Sequence, residues 1–352
     1  MSGKTTPSIP NQILRLRPGV ILVALSCLAL TLAGWHIVGS LERESVAERF
    51  NARASEVELR IRSRLADYER ALRATAAFMH ASETVSRGEW RAYSDMMQLK
   101  VQFPGVHGLG YAVRLQPAEL QALIDAVRRE GVADYRVWPP GPRDEYTAIL
   151  YLEPLNDRTR GALGHDMFAN PSRQAAMTAA RDSGQAVISR KVTLLRDTDA
   201  AAQPGLLMYL PHYRSGTPTG TPEARRNALA GYIYFPIQVQ EFVTAALQDL
   251  RDKSGEFELE IFDGKEATPE NLLYSSRPGS AQRNDKPLFR RMQSTGLYGQ
   301  TWTLRTTSLP SFEQQVDTRT PTAVLWGGLL VTVLATITAL MSSISRERAA
   351  AL

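Results

Sequence analysis

The sequence predicts an α+β fold in which a long N-terminal stalk helix carries two mixed strand-and-helix modules between two membrane-spanning helices. Three observations predict it. Two apolar runs without Asp, Glu, Lys or Arg stand at residues 20–38 and 323–344. Residues 41–83 keep a helical period without a Gly or a Pro. Between that helix and the second run, short strand patterns alternate with capped helical ones, and no parallel βαβ repeat is evident.

The first run, Val20 to Val38, has 19 residues and the second, Ala323 to Ile344, has 22. A bilayer core of roughly 30 Å needs about 20 helical residues, so each run is long enough to span. The first exceeds the about 7–15 apolar residues of a cleaved signal peptide and runs directly into a charged helix, which favours an uncleaved anchor. Lys4, Arg15 and Arg17 precede the first span, and Arg346 and Arg348 follow the second. Basic residues at both outer ends place both termini in the cytoplasm and the intervening loop outside. Trp35 and Trp326 lie toward span ends, where amphipathic rings favour the interface. Setting aside those five basic residues and Glu347, the 41 basic and 36 acidic residues of the chain leave 36 against 35 in the loop. The excess positive charge is therefore largely a topology signal, and no nucleic-acid partner is expected. The only cysteine, Cys27, lies in the first span, which excludes a disulfide-stapled ectodomain.

The expected organisation is a cytoplasmic N-terminus (1–19), a first span (20–38), a stalk helix (39–87), a membrane-distal module (88–226), a membrane-proximal module (227–320), a second span (321–344) and the start of a cytoplasmic helix (345–352). In the stalk, Val46, Phe50, Ala54, Val57, Ile61, Leu65, Leu72 and Met79 recur at spacings of three, four and seven, one apolar stripe with Glu and Arg on the other faces. Such a stripe is either a dimer seam or a spine for the modules that follow. Gly88 to Val101 follows as a helix with Trp90, Tyr93, Met96, Met97 and Val101 on its buried side. Val106 to Leu115 has a strand pattern, Pro117 to Arg129 is a helix, Tyr135 to Trp138 a short strand and Thr147 to Leu152 another. Asn170 and Pro171 are an N-cap and first helical residue, and Gly184 marks the end of that helix. Ala175, Ala176, Ala179 and Ala180 give it a small-residue face. Ala186 to Leu195 and Leu206 to Tyr213 are strands joined by the polar loop Arg196 to Pro204, and Arg214 to Arg226 is a surface loop. In the second module, Leu229 to Ile237 is a strand and Val239 to Leu250 a helix. Phe257 to Phe262, Leu272 to Tyr274, Leu288 to Met292 and Gln300 to Thr307 are further strands. A long helix followed by two such modules suggests tandem PAS-like sensory domains.

Between Asp144 and Tyr213 the residues fall in a particular order: Asp144-Glu145-Tyr146 before a strand, Tyr151-Leu152-Glu153-Pro154, Leu163-Gly164-His165-Asp166, Asn170-Pro171-Ser172-Arg173, Ala179-Ala180-Arg181 with Gly184, Val192-Thr193-Leu194-Leu195, and Leu210-Pro211-His212-Tyr213. In this order the segment resembles the CHASE domain, the extracellular sensory module of cyclases and histidine kinases. The resemblance implies a membrane-distal PAS-like module that binds a small ligand and a proximal one that relays the change. Arg143-Asp144-Glu145-Tyr146 is similar to the plant cytokinin receptors, whose ligands are adenine derivatives, while Leu163-Gly164-His165-Asp166 is closer to the bacterial type.

A purine-like ligand needs an apolar slot with one acceptor and one donor fixing the ring edge. Asp144 or Asp166 could accept from an exocyclic amine, and backbone groups near Leu163 and Gly164 could pair a ring nitrogen. Tyr151, Leu206, Met208 and Tyr209 are suited to line the slot, and Thr193 offers a hydroxyl. Each has a plainer alternative: Asp166 as a loop cap before the Asn170 helix, Asp144 as an exposed turn carboxylate, and Tyr151 and Tyr209 as core. No cofactor and no catalytic group is expected. The five histidines (His36, His80, His107, His165, His212) lack zinc spacing; His165, Asp166 and His212 are the weak metal alternative, and neither a P-loop nor a nucleophile elbow occurs. The expected function is a two-pass sensory receptor of the inner (cytoplasmic) membrane, its loop in the periplasm or outside the cell. It would be homodimeric through stalk and spans, with a histidine kinase or diguanylate cyclase as output. A membrane-tethered scaffold that binds another protein is the alternative.

Overall fold

A computed structural model describes residues 18–194, 204–248, 255–278 and 286–350. The expected cytoplasmic segment with Lys4, Arg15 and Arg17, the strand end Leu195, most of the Arg196–Pro204 loop, the helix end Leu250 and the Arg348 side chain lie outside the described residues. In chain order the elements are α1 (Pro18–His80), α2 (Arg87–Met96), α3 (Leu99–Gln102), β1 (Leu109–Leu115), α4 (Leu120–Arg129), β2 (Tyr146–Glu153), α5 (Asp157–Arg160), α6 (Pro171–Ser183), β3 (Val187–Ile188), β4 (Val192–Thr193), β5 (Pro204–Tyr213), α7 (Pro222–Ala228), β6 (Leu229–Gln238), α8 (Val239–Ala246), β7 (Phe257–Asp263), β8 (Leu272–Ser275), β9 (Arg290–Leu297), β10 (Gln300–Ser308), α9 (Pro310–Glu313) and α10 (Arg319–Ala350). The fold is α+β, as the sequence predicts: a long N-terminal helix, two antiparallel sheets with helices, and long apolar helices at the ends.

The chain divides into two compact units, residues 51–310 and a second of residues 1–50 with 311–352. In the first, two sheets form with strand orders β2-β1-β6-β5-β3, β4 also pairing with β5, and β8-β7-β10-β9. Among the described residues the named strands pair antiparallel, from β1 on β2 and β6 through β5 on β6 to β10 on β7 and β9. The stalk stripe is spent inside the chain. Ala54, Val57, Ile61, Leu65 and Leu72 are buried, joined by Tyr68, whose ring meets Phe103, Phe235 and Phe242 at 5.6, 6.2 and 5.6 Å. Glu58 and Tyr298 tie the same helix to the second sheet, Glu58 accepting from the Thr295 hydroxyl at 2.7 Å and Tyr298 donating to Glu69 at 2.9 Å. Burial of an apolar stripe against two sheets is what makes this part of the helix a spine.

Several local expectations shift for identifiable reasons. Gln98, at φ 50°, breaks the expected Gly88–Val101 helix into α2 and α3. Trp90 is buried, but Met96 and Val101 are exposed, because Ser94 and Met97 complete the Trp90 face at steps of four and seven. Tyr135–Trp138 forms no strand; Trp138 makes an isolated bridge to His165. The loop expected at Arg214–Arg226 runs into α7, where Thr221 caps the Ala224 amide and Pro222 occupies the first turn. The boundary expected at 226/227 falls before β6, yet β6 sits in the middle of the first sheet, between β1 and β5. The first sheet therefore takes a strand from the segment assigned to the second module.

The sheets meet through the segment after β3. Asp263 accepts from Arg190 Nε at 3.3 Å and the Lys191 amide at 3.1 Å, and the Ile188 amide donates to Tyr298 O at 2.9 Å. In the other unit, α10 and the N-terminal part of α1 are long and apolar enough to cross a membrane. There the Thr31 and Thr332 hydroxyls stand 3.5 Å apart, and a Cβ at Gly328 would come within 2.4 Å of Thr31, a small-residue approach suited to paired spans.

Candidate functional site

The site grows from the start of α6. The Asn170 side chain accepts from the Arg173 amide at 3.1 Å, Pro171 fills the first helical position, and Gly184 closes the helix at φ 71°. With that start fixed, Arg173, Ala176, Met177 and Ala180 fall on one face at steps of three, four and seven, and all four are buried. Of the expected alanine face only Ala176 and Ala180 turn inward; Ala175 and Ala179 are exposed. This face packs over one side of the first sheet, where Ala112, Ile149, Leu207, Tyr209, Tyr232 and Tyr234 form a common core with it. Within that core lies a cavity of about 30 Å³, lined among others by Ile149, Leu152, Met167, Arg173, Leu207 and Tyr234. It is large enough for a water-sized guest.

The polar groups around the cavity are incompletely satisfied. Arg173 is 3% exposed; its Nη2 donates over a long 3.4 Å to Thr193 O, while Nε and Nη1 have no hydrogen-bond partner. The Tyr234 hydroxyl is buried and also without a partner, and burial holds it well above the ordinary phenol range, so it keeps its proton. Its ring lies across Gly110, where a Cβ would stand 2.1 Å from Tyr234 Cζ, so only glycine admits it. His165 packs edge-on against Trp138 at 4.4 Å with Nδ1 unpaired. Burial, and then Arg173 and Arg143, push its imidazole down to about 4. Buried polar groups are ordinarily bonded, and of these three residues Arg173 and Tyr234 belong to the cavity wall.

The expected ligand contacts scatter. Asp144 is exposed. Asp166 is fully buried, but Oδ1 accepts from the Thr147 and Phe168 amides at 2.9 and 3.1 Å, and Oδ2 lies 3.2 Å from Arg143 Nε. It caps a turn. The Gly164 amide and carbonyl are bonded to Ile149 O and the Trp138 amide, and Leu163 O accepts from Trp138 Nε1, so these backbone groups are already engaged. Gly164 itself, at φ 73°, is required because a Cβ would meet Arg136 O at 1.9 Å. Thr193 is exposed and contributes its carbonyl to Arg173. Tyr151 stacks on Trp90 at 5.4 Å and donates to Val85 O, which places it with α2 on the opposite sheet face. Leu206 and Met208 are buried on that opposite face too, since alternate residues Leu207 and Tyr209 belong to the α6 side. Of the slot residues, Leu163 and Tyr209 share the core around the cavity, and the Tyr209 hydroxyl reaches Met167 Sδ at 3.2 Å. His212 bonds Tyr111 rather than joining His165 and Asp166, and no metal-binding cluster occurs among the described residues.

Arg173, Ile149, Leu207 and Tyr234 were not expected from the sequence as ligand contacts. Arg173 carried a usable signal: it is the one charged position on the stripe it shares with Ala176, Met177 and Ala180. Two larger recesses open elsewhere on this unit, about 720 Å³ beside His107 and Glu241 and about 490 Å³ beside Asp134, Arg136 and Arg160.

Compared with protein-family models, residues 83–274 match the CHASE domain, over half of the chain and spanning the first sheet, the cavity and the start of the second sheet. The chain belongs to the CHASE domain family. A comparison with curated proteins found no match. The CHASE domain is an extracytoplasmic type of sensor, and here it is flanked by two candidate membrane helices.

Proposed function

We propose that this chain is the input region of a two-pass membrane receptor whose CHASE domain binds a small ligand in the cavity between α6 and the first sheet. The observation that carries the reading is a cavity inside the family's matched region, bordered by buried donors without partners. Each open buried donor costs about 1–3 kcal/mol, a cost that a guest accepting from it would relieve. The basic flanks support a periplasmic or extracellular loop and an inner-membrane location. The family's habit supports a homodimer with a histidine kinase or diguanylate cyclase as its cytoplasmic output. A ligand larger than the cavity must displace α6 or the strands after it. The segment from β3 to Lys191 is bonded to Asp263 and Tyr298, which supplies a route to the second sheet. An adenine-type ligand would have to rely on a carboxylate outside this cavity, because Asp166 is paired with Arg143 and is not in the lining.

A thermal-shift screen of the full chain in detergent against small metabolites, adenine derivatives included, tests the cavity. A binder should raise the melting temperature of the wild type by mass action and lose that effect in Ala162→Leu, which fills the cavity from its wall. A binder equally effective on both proteins would place the site elsewhere.

A further inference from the structure

The open Arg173 nitrogens beside the cavity can only donate, and their charge limits what the cavity can hold. Resting on the sensor reading above, we infer that the ligand is a small organic monocarboxylate, its carboxylate taken by Arg173 with the Tyr234 hydroxyl and its apolar body by Ile149, Leu152 and Leu207.

Four observations converge on this. Arg173 is almost fully buried, yet no carboxylate among the described residues lies within ion-pair distance of it; the nearest acid in sequence, Asp166, is paired with Arg143. A buried cation without a counter-ion is costly, and an anion entering from outside relieves that cost. Arg173 also sits in the first turn of a 13-residue helix, where the helix field opposes a cation and favours an anion. Its Nε and Nη1 are both without partners, and Nη2 holds only the long 3.4 Å bond to Thr193 O, so an entering carboxylate finds charge-assisted donors still open. The remaining lining is largely apolar, and the space as it stands is water-sized, so only a short hydrocarbon body follows the carboxylate, with α6 or the strands after it giving way. A phosphate dianion would ask for more than one arginine. A purine edge would need an acceptor carboxylate, and the cavity lining holds none.

The test is isothermal titration of the full chain, in detergent and carboxylate-free buffer, with acetate, propionate, butyrate and benzoate. The matching primary amides, inorganic phosphate and adenine form the control arms. The inference expects at least one acid to bind and its amide to bind about 10- to 100-fold more weakly, the loss of a charge-assisted pair. Arg173→Met should abolish binding, and Tyr234→Phe should weaken it about 3- to 10-fold for one hydrogen bond. Arg173→Met is not expected to unfold the protein, because it removes an uncompensated charge. Should it do so, Arg173→Lys, which keeps the charge and loses the fixed guanidinium donors, must still weaken the acid relative to wild type. Equal affinity for acid and amide, preference for phosphate, or no binding by any acid would overturn the inference. If adenine or an amide bound instead, was lost in Ala162→Leu and was unaffected by Arg173→Met, the cavity reading would stand and the carboxylate inference would fall.

Discussion

Arg305 on β10 of the second sheet lies over the Phe262 ring at 4.8 Å and meets Glu260, with Nε 2.7 Å from Oε2. Arg173, beside the first sheet, is more deeply buried and meets no carboxylate, only a carbonyl at 3.4 Å. Both arginines border aromatic interiors, but one has its counter-ion built in and the other does not. A buried pair is held together by the penalty of separating it, so it contributes rigidity and specifies an arrangement. An unpaired buried cation leaves the same penalty in place for something outside the chain to remove. On the proposed function, the first sheet would receive the ligand and the second would relay the change.

Breaking the paired arginine should have the largest effect. Arg305→Met removes the guanidinium that donates to the buried Glu260 and is expected to cost about 2–3 kcal/mol, a fall of roughly 4–12 °C in melting temperature. Next comes the joint between the sheets. Asp263→Ala removes the acceptor of Arg190 and the Lys191 amide, about 1–3 kcal/mol, and should speed hydrogen exchange at that amide. His165 gives a smaller effect that depends on pH. Its folded imidazole titrates at about 4 against 6.5 when unperturbed, so below 6.5 the unfolded chain binds a proton that the folded chain refuses. Stability should therefore fall as pH drops from 6.5 toward 4, and His165→Phe should flatten that part of the curve in melts across the range. Smallest is Asp144→Ala: an exposed carboxylate, its loss should change stability by no more than about 0.5 kcal/mol. A loss of ligand affinity in that variant would move the recognition site from Arg173 toward the Asp144 turn.

The stalk, the two apolar helices and the ends of α6 were legible in the sequence because each is a local pattern. A stripe at steps of three, four and seven needs no partner to be recognised, and Asn170-Pro171 with Gly184 brackets a helix by its own chemistry. The place of β6 was not legible, since its pairing with β1 bridges about 120 residues and no local pattern encodes it. Nor was the parity of β5. Leu206 to Leu210 is apolar throughout, so alternation that would separate Leu207 and Tyr209 from Leu206 and Met208 is absent. Asp166 and Asp144 drew attention as acids in a motif; their roles depend on Arg143, Thr147 and solvent, which only the folded chain brings to them.

The most direct measurement is the melting temperature of Arg173→Met against wild type, both as full chains exhaustively dialysed into a carboxylate- and phosphate-free buffer. An arginine that waits for an outside anion predicts a variant as stable as the wild type or more so. A clear fall in melting temperature would show that Arg173 already has its partner within the protein, and the contrast with Arg305 would not hold.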